Sequence, residues 1–181
     1  MKYLLFGAVV LGLLGCDGRA TADENTLMHT DFESLMGWLP DTQTELLGRE
    51  QAHSGTYSLK VDPQHPYSLT YRAILGTLHD TRIRKMKLSA WVFVPDAQAQ
   101  ATLVVTISDR GEQPKELFWD GTVLQEAVAG QYGRWVEISK ELELPEEANS
   151  SHELTVYLWR TGGDKAIFLD DLAIQNTTSA K

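Results

Sequence analysis

Apolar and polar residues alternate with a period of two along most of the chain after about residue 56, and long helical periodicity is scarce. Turn signals rich in glycine, proline and aspartate recur about every eight to twelve residues. The segments predicted as strands are 56–62, 67–75, 85–94, 101–108, 115–119, 122–127, 134–144, 153–160 and 166–174. This pattern predicts an all-β fold, an antiparallel β-sandwich of the jelly-roll type with about ten short strands.

Asp120-Gly121 separates two of these segments and predicts a hairpin, because this pair tolerates positive φ. Trp119 lies directly before that turn, where an exposed ring would line the edge of a groove. Trp38 and Trp119 each fit either a buried structural role or an exposed one. Residues 32–39 and 145–150 are compatible with short helical turns.

The alternation also assigns residues to the two faces of each strand. In residues 85–94 and 153–160 one face is aliphatic, which makes it the natural core, whereas the other carries hydroxyl groups and large aromatic rings. Trp91 lies on that second face in one strand, and Tyr157 and Trp159 lie on it in the other. Rings beside hydroxyls suit a shallow sugar-binding face. The alternative is that a loop or second layer covers these rings, since aromatic residues in strands are most often buried.

Two adjacent acids, Asp170 and Asp171, interrupt the last apolar run, residues 167–174, which contains no lysine or arginine. Neighbouring side chains in a strand point to opposite faces, so both acids cannot face water if both faces of the sheet are covered. A buried carboxylate without a partner costs several kcal/mol. We therefore expect one of the two to be bound by a cation or by several hydrogen-bond donors.

Residues 1–15 have the charged start and short apolar core of a signal peptide, and the apolar core is too short for a mature transmembrane helix. They end in Leu13-Leu14-Gly15-Cys16, which resembles a bacterial lipobox and predicts lipidation of Cys16. The alternative is an ordinary secretion signal followed by a chance cysteine. Residues 16–25 then form a flexible tether, 26–176 the β-sandwich and 177–181 a tail. The expected location is a bacterial membrane, with the lipid-anchored domain facing the periplasm or the cell surface.

Composition narrows the possible partners and chemistry. The formal net charge of −9 argues against nucleic acid, which needs a basic surface. One cysteine excludes an intramolecular disulfide. The sequence contains no G-x-S-x-G elbow, and its histidines lack H-x-x-x-H or H-E-x-x-H spacing. These patterns predict a protein that is not an enzyme.

Several short motifs, in order, resemble carbohydrate-binding modules of the galactose-binding-like jelly-roll type, families 4, 9 and 22. The resemblance covers nearly all of residues 27–175. The motifs are Asp31-Phe32-Glu33, Gly37-Trp38, residues 52–61, Leu88-Ser89-Ala90-Trp91-Val92, Gly133-Arg134-Trp135 and Phe168-Leu169-Asp170-Asp171-Leu172. The resemblance is more specific for the fold than for sugar binding, because such domains also serve as structural modules.

The resemblance implies a structural calcium ion joining the N-terminal strand, the Ser-Gly turn and the last strand. Glu33 and Asp170 would supply carboxylate oxygens, and Asp31 and Thr56 would supply main-chain carbonyls. Calcium binds six to eight oxygen ligands, and this set is of the right chemical type. The alternative is that Asp170 accepts main-chain N–H groups of the turn without a metal. In either case we expect Asp171 to be the more solvent-facing acid.

These observations predict a non-catalytic carbohydrate-binding lipoprotein domain at the bacterial envelope. The candidate ligand-binding residues are Trp91, Trp119, Tyr157 and Trp159. The alternative is a structural or protein-contact module, in which the same face docks a partner protein of an envelope complex.

Overall fold

The computed structural model describes residues 25–35 and 41–178, with side chains from residue 43 onward in the second range. The predictions for the signal peptide, Cys16, Trp38 and most of the tether lie outside the described residues. The strands are β1 Thr26–Thr30, β2 Leu47–Gly48, β3 Ser58–Val61, β4 Tyr71–Ile74, β5 Lys85–Phe93, β6 Gln100–Ser108, β7 Glu116–Val123, β8 Trp135–Glu143, β9 Glu153–Gly162 and β10 Ile167–Asn176.

Helical structure in these ranges is limited to short pieces. Two 3-10 turns span Glu33–Leu35 and Asp41–Leu46, and two single-turn helices, α1 and α2, span Leu75–Leu78 and Leu124–Ala127. No helix in the described ranges has the length and apolar character needed to span a bilayer.

The strands form two antiparallel sheets, which confirms the predicted sandwich. The large sheet has six strands in the order β2-β3-β10-β5-β8, with β1 also pairing with β10. The small sheet has four strands in the order β4-β9-β6-β7. Because β10 pairs with β1, β3 and β5, the last strand of the chain lies at the centre of the large sheet beside the first.

The hydrophobic core lies between the two sheets and is built from the aliphatic face of each strand. Leu88 and Val92 of β5 are buried there, as are Leu154 and Leu158 of β9. The face assignment made from alternation is therefore correct for these strands. Their other face points away from the core, which leaves it for another layer or for solvent.

The predicted hairpin at Asp120-Gly121 is wrong. β7 runs without interruption through both residues and pairs with β6 from Thr102 to Ser108, and the chain then turns into α2 rather than into another strand. Gly121 lies within this strand without a positive φ. Asp120-Gly121 is therefore a residue pair typical of turns that adopts the extended conformation of a strand.

The strand predicted over residues 67–75 is shorter than expected. Tyr67 forms an isolated bridge, regular pairing is confined to β4, and α1 follows directly. A 3-10 turn does occur at Glu33–Leu35, whereas residues 145–150 form turns without a helix.

An ion pair links the two sheets at one side of the sandwich. Lys140 of β8 lies opposite Leu88 and Asp120 of β7 lies opposite Val105, so both charged side chains point toward the core side of their sheets. Nζ of Lys140 is 2.6 Å from Oδ1 of Asp120. Both strands are at sheet edges, where inward-pointing charges oppose pairing with another chain.

Replacing Leu169 with alanine tests the central position of β10. Leu169 is completely buried between the sheets, so we expect Leu169→Ala to lower the free energy of unfolding by about 2–5 kcal/mol through lost burial and a residual cavity. Urea denaturation followed by circular dichroism measures the change. The control Val123→Ala, at an exposed position, should stay within about 0.5 kcal/mol. A similar loss in both variants would contradict this assignment.

Candidate functional site

Aromatic side chains gather on the outer face of the small sheet. Residues paired directly across antiparallel strands share a face. Trp159 of β9 is paired with Thr102 of β6, Thr102 with Val123 of β7, and Tyr67 forms its bridge with Trp159. Tyr157 lies on the same face two residues before Trp159, and Trp119 lies four residues before Val123. We call this surface the aromatic face: Tyr67, Thr102, Trp119, Tyr157 and Trp159.

The aromatic face is where the large hydrophobic side chains exposed in the described part of the chain are found. Their exposed large hydrophobic side chains are Tyr67 (55%), Trp119 (51%), Val123 (38%) and Trp159 (37%), and all four lie on or beside it. The rings of Tyr67 and Trp159 are nearly parallel, with 6° between their planes and 6.2 Å between their centroids. Exposed apolar patches often mark sites that bind a ligand or a partner.

Polar groups accompany the rings. Thr106 and Thr155 are paired with each other on the same face, and Arg72 lies opposite Thr155 with its guanidinium 3.1 Å from Oε1 of Glu153. Burial raises the pKa of the Tyr157 phenol above its ordinary value, and Tyr67 and Glu116 add to the effect. The phenol is therefore a neutral hydroxyl at neutral pH, able to donate and accept hydrogen bonds.

The structure brings together three of the four predicted ligand-binding residues and separates the fourth. Trp119, Tyr157 and Trp159 share the aromatic face, whereas Trp91 belongs to β5 of the large sheet. The imidazole of His53 stacks on Trp91, with 3.8 Å between centroids and 11° between planes. The His53 loop thus covers one face of the Trp91 ring, which is half-buried.

Tyr67 is the aromatic residue of this face that was not among the ligand-binding residues predicted from the sequence. It follows Pro66 in a stretch without clean alternation, so no periodic pattern assigns its side chain to a face. Its position depends on the isolated bridge to Trp159, a contact between residues far apart in the chain. The sequence feature that could have drawn attention to Tyr67 is an aromatic residue directly after a turn that contains two prolines.

Asp170 is completely buried and is held by several donors, as expected for one of the two acids. The main-chain N–H groups of His53 and Ser54 donate to Oδ2 of Asp170 at 2.8 and 3.0 Å, and that of Asp171 donates to Oδ1 at 2.8 Å. Burial raises the pKa of the Asp170 carboxyl above its ordinary value, while these three hydrogen bonds act in the opposite direction.

A β-bulge brings the second acid to the same turn. From Asp170 to Ala173 the chain of β10 advances three residues while β5 advances two, and Asp171 takes the left-handed conformation with φ +47°. Oδ2 of Asp171 is 2.6 Å from Nδ1 of His53, and the Ser54 hydroxyl donates to Oδ1 of Asp171 at 2.8 Å. Strict alternation fails here, so the two acids contact one turn instead of opposite faces.

Glu33 holds the other half of this turn. The main-chain N–H groups of Thr56 and Tyr57 both donate to Oε1 of Glu33 at 2.7 Å, and Gly55, with φ +58°, packs so closely that a Cβ atom there would overlap the Glu33 carboxylate. Oδ1 of Asp31 accepts the N–H of Glu33 at 3.2 Å. We call residues 53–57 the clasped turn, because acids from both ends of the domain hold it.

The predicted calcium ligands only partly fit this arrangement. Oδ2 of Asp170 and Oε1 of Glu33 each accept two N–H groups, which uses both lone pairs of each oxygen. Thr56 contributes its N–H to this network. Within the described ranges no three His, Cys, Asp or Glu side chains form a group that could hold a metal ion. Calcium would depend on the remaining carboxylate oxygens together with main-chain carbonyls and water. It stays a prediction.

Comparison with known proteins identifies related domains. A family model described as a carbohydrate binding domain matches residues 24–164. The C-terminal family 22 carbohydrate binding module of Clostridium thermocellum Xyn10B aligns with a TM-score of 0.55 and 13% identity, over 88% of this chain and 99% of that one. The tandem CBM22-1-CBM22-2 domain of Paenibacillus barcinonensis Xyn10C aligns with a TM-score of 0.55 and 16% identity, over 86% of this chain and 51% of that one.

A further solved structure, a xylan-binding domain from CBM 22, aligns with a TM-score of 0.50 and 14% identity, over 88% of this chain and 100% of that one. At these identities the similarity establishes the fold. No curated protein matches the chain.

Substituting Asp170 tests the clasped turn. In Asp170→Asn an amide NH₂ replaces one oxygen and faces N–H donors, so we expect the free energy of unfolding to fall by about 2 kcal/mol or more. Chemical denaturation measures the loss, and the exposed Asp164→Asn is the matched control, with a change below about 0.5 kcal/mol. Equal stability of the two variants would show that the buried carboxylate is not required.

Calcium binding is tested by thermal unfolding of the metal-stripped protein in CaCl₂ and in EDTA. A ligand that binds only the folded state raises the melting temperature as its concentration exceeds its dissociation constant. A higher melting temperature in calcium than in EDTA, lost in Glu33→Gln, would confirm the calcium prediction. Equal melting temperatures would contradict it and leave hydrogen bonds alone to hold the turn.

Proposed function

Because the chain belongs to the family of carbohydrate binding domains, we propose that its aromatic face binds a carbohydrate chain and leaves it chemically unchanged. The observation that carries this proposal is the concentration of the exposed large hydrophobic side chains of the described residues on one face. A soluble domain normally buries such rings, so their exposure needs a ligand or partner to account for it.

The chemistry of the face suits a neutral glycan. The apolar side of a pyranose ring can pack on the flat faces of Tyr67 and Trp159, while its hydroxyls reach the polar groups beside them. The net charge of −9 disfavours polyanionic glycans. Xylan is a suitable first probe, because one solved structure with this fold is named a xylan-binding domain.

The sequence supports an envelope location for this binding domain. The lipobox-like Leu13-Leu14-Gly15-Cys16 would leave Cys16 as a lipidated N-terminus, with residues 16–25 as the tether. We therefore propose a membrane-anchored domain that holds glycan near the bacterial surface or in the periplasm. Docking of an envelope protein on the same face is the competing function.

Loss of aromatic rings from the face should weaken glycan binding. We expect Trp159→Ala and Tyr67→Ala each to reduce affinity at least about tenfold, equivalent to about 1.4 kcal/mol of lost stacking. Affinity gel electrophoresis with soluble xylan and calorimetry with xylohexaose measure the change. Trp91→Phe is the matched control, because Trp91 lies under His53 in the other sheet, and it should bind as the wild type does.

Two results would count against the proposed function. If Trp91→Phe lost binding while Trp159→Ala kept it, the ligand would lie on the large sheet instead. If the wild type bound no member of a broad glycan panel and co-purified with a stable envelope protein, the face would be a protein-docking surface.

A further inference from the structure

Gly121 occupies a place where the backbone does not require glycine. It lies in the middle of β7, paired with Val104, and its φ is not positive. A Cβ atom at Gly121 would overlap Cη2 of Trp119 and would lie 3.1 Å from Cζ2 of the same ring. It would also lie 2.9 Å from Cγ2 of Thr102. The space that a side chain would fill is thus taken by the Trp119 indole.

The overlap locates the indole against the sheet. Gly121 shares a face with Val104 and Tyr157, so its missing Cβ would point outward from the aromatic face. The six-membered ring of Trp119 must therefore cover Gly121 from outside, next to the Thr102 methyl group. Trp119 is half exposed, so part of its side chain remains open to solvent while Cη2 and Cζ2 lie over Gly121. Glycine in a strand commonly marks such a close approach.

We propose that Gly121 is a positioning residue, which keeps the Trp119 indole flat on the small sheet as a second aromatic platform beside the Tyr67–Trp159 pair. Trp119 then contacts a sugar unit of the bound chain that the Tyr67–Trp159 pair does not reach. This inference rests on the proposed function, since it assigns a second contact within the same site.

The register of the strands separates the two platforms. Trp159 lies opposite Thr102 and Trp119 lies opposite Thr106, four residues along β6. With about 3.4 Å per residue and about 4.8 Å between strands, their Cα atoms are about 17 Å apart. The Trp119 ring leans back toward Gly121 by two residues, about 7 Å, which leaves the ring systems on the order of 10 Å apart. That separation exceeds one pyranose ring.

A methyl group at position 121 should displace the ring and leave the sheet intact. Two of the three atoms it would crowd belong to the far end of the exposed Trp119 side chain, which can swing toward solvent. The third, Cγ2 of Thr102, must shift slightly, and the backbone conformation accepts alanine. Gly121→Ala therefore changes the orientation of one ring. Gly111→Ala is the matched control, because no atom lies within 4 Å of a Cβ there and its φ is also not positive.

A double-mutant cycle with Gly121→Ala and Trp119→Ala tests the proposal. We expect each single variant to weaken xylohexaose binding about five- to tenfold by calorimetry, and the double variant to bind no more weakly than Trp119→Ala. Xylobiose, which is too short to reach both platforms, should bind the single variants as it binds the wild type in NMR titrations. Gly111→Ala should leave both affinities unchanged.

Iodide quenching of tryptophan fluorescence reports the position of the ring without a glycan. Quenching should increase in Gly121→Ala, because the indole lifts from the sheet, and this increase should disappear in the Trp119→Ala background. Unchanged quenching in Gly121→Ala would overturn the positioning role whatever the protein binds. A third outcome separates the two proposals. Suppose that quenching increases in Gly121→Ala and that Trp159→Ala lowers the affinity for xylohexaose. If Gly121→Ala then leaves that affinity unchanged, the second platform is wrong and the proposed function still holds. If the wild type does not bind xylohexaose, the result counts against both the proposed function and the second platform for xylan. The same double-mutant cycle with cellohexaose then tests both for another glycan.

Discussion

The structure depends on a buried carboxylate and the donors that surround it. Asp170 lies at the centre of the large sheet, where an unpartnered charge would cost several kcal/mol. Three main-chain N–H groups offset that cost, two of them from the clasped turn. Glu33, near the start of the described chain, holds the other half of the same turn. Acids from the two ends of the domain are therefore joined through one turn.

The clasped turn also explains why the two sheets have different outer faces. It carries His53 over Trp91, and His53 meets Trp135 edge-on as well, so aromatic rings of the large sheet are packed under a loop. On the small sheet the exposed rings of the described chain remain open to solvent. Similar strand sequences thus give a packed aromatic cluster on one sheet and exposed aromatic rings on the other.

Local sequence signals gave a wrong prediction at Asp120 and Gly121. At these positions side-chain contacts, and not a backbone turn, account for the residue types. Asp120-Gly121 has the composition of a turn, yet Gly121 is a strand residue whose missing side chain makes room for Trp119. Asp120 reaches across the sandwich to Lys140, so its charge serves an edge contact and not a hairpin. Lys140 is 20 residues from Asp120, and a turn rule takes no account of the Trp119 side chain that lies over Gly121.

Alternation alone determined most strands, the aliphatic faces that form the core, and the all-β sandwich, because side-chain direction in a strand depends only on the local backbone. The order of short motifs pointed to the family, and the adjacent acids required a partner for whichever one was buried. Only the tertiary structure decided that Trp159 is open and Trp91 covered, that Tyr67 stacks on Trp159, and that a bulge turns Asp170 and Asp171 toward one turn. Period-two patterning tells which side of its own strand a residue occupies. Which sheet that strand joins, and what packs over it, depends on contacts between distant parts of the chain.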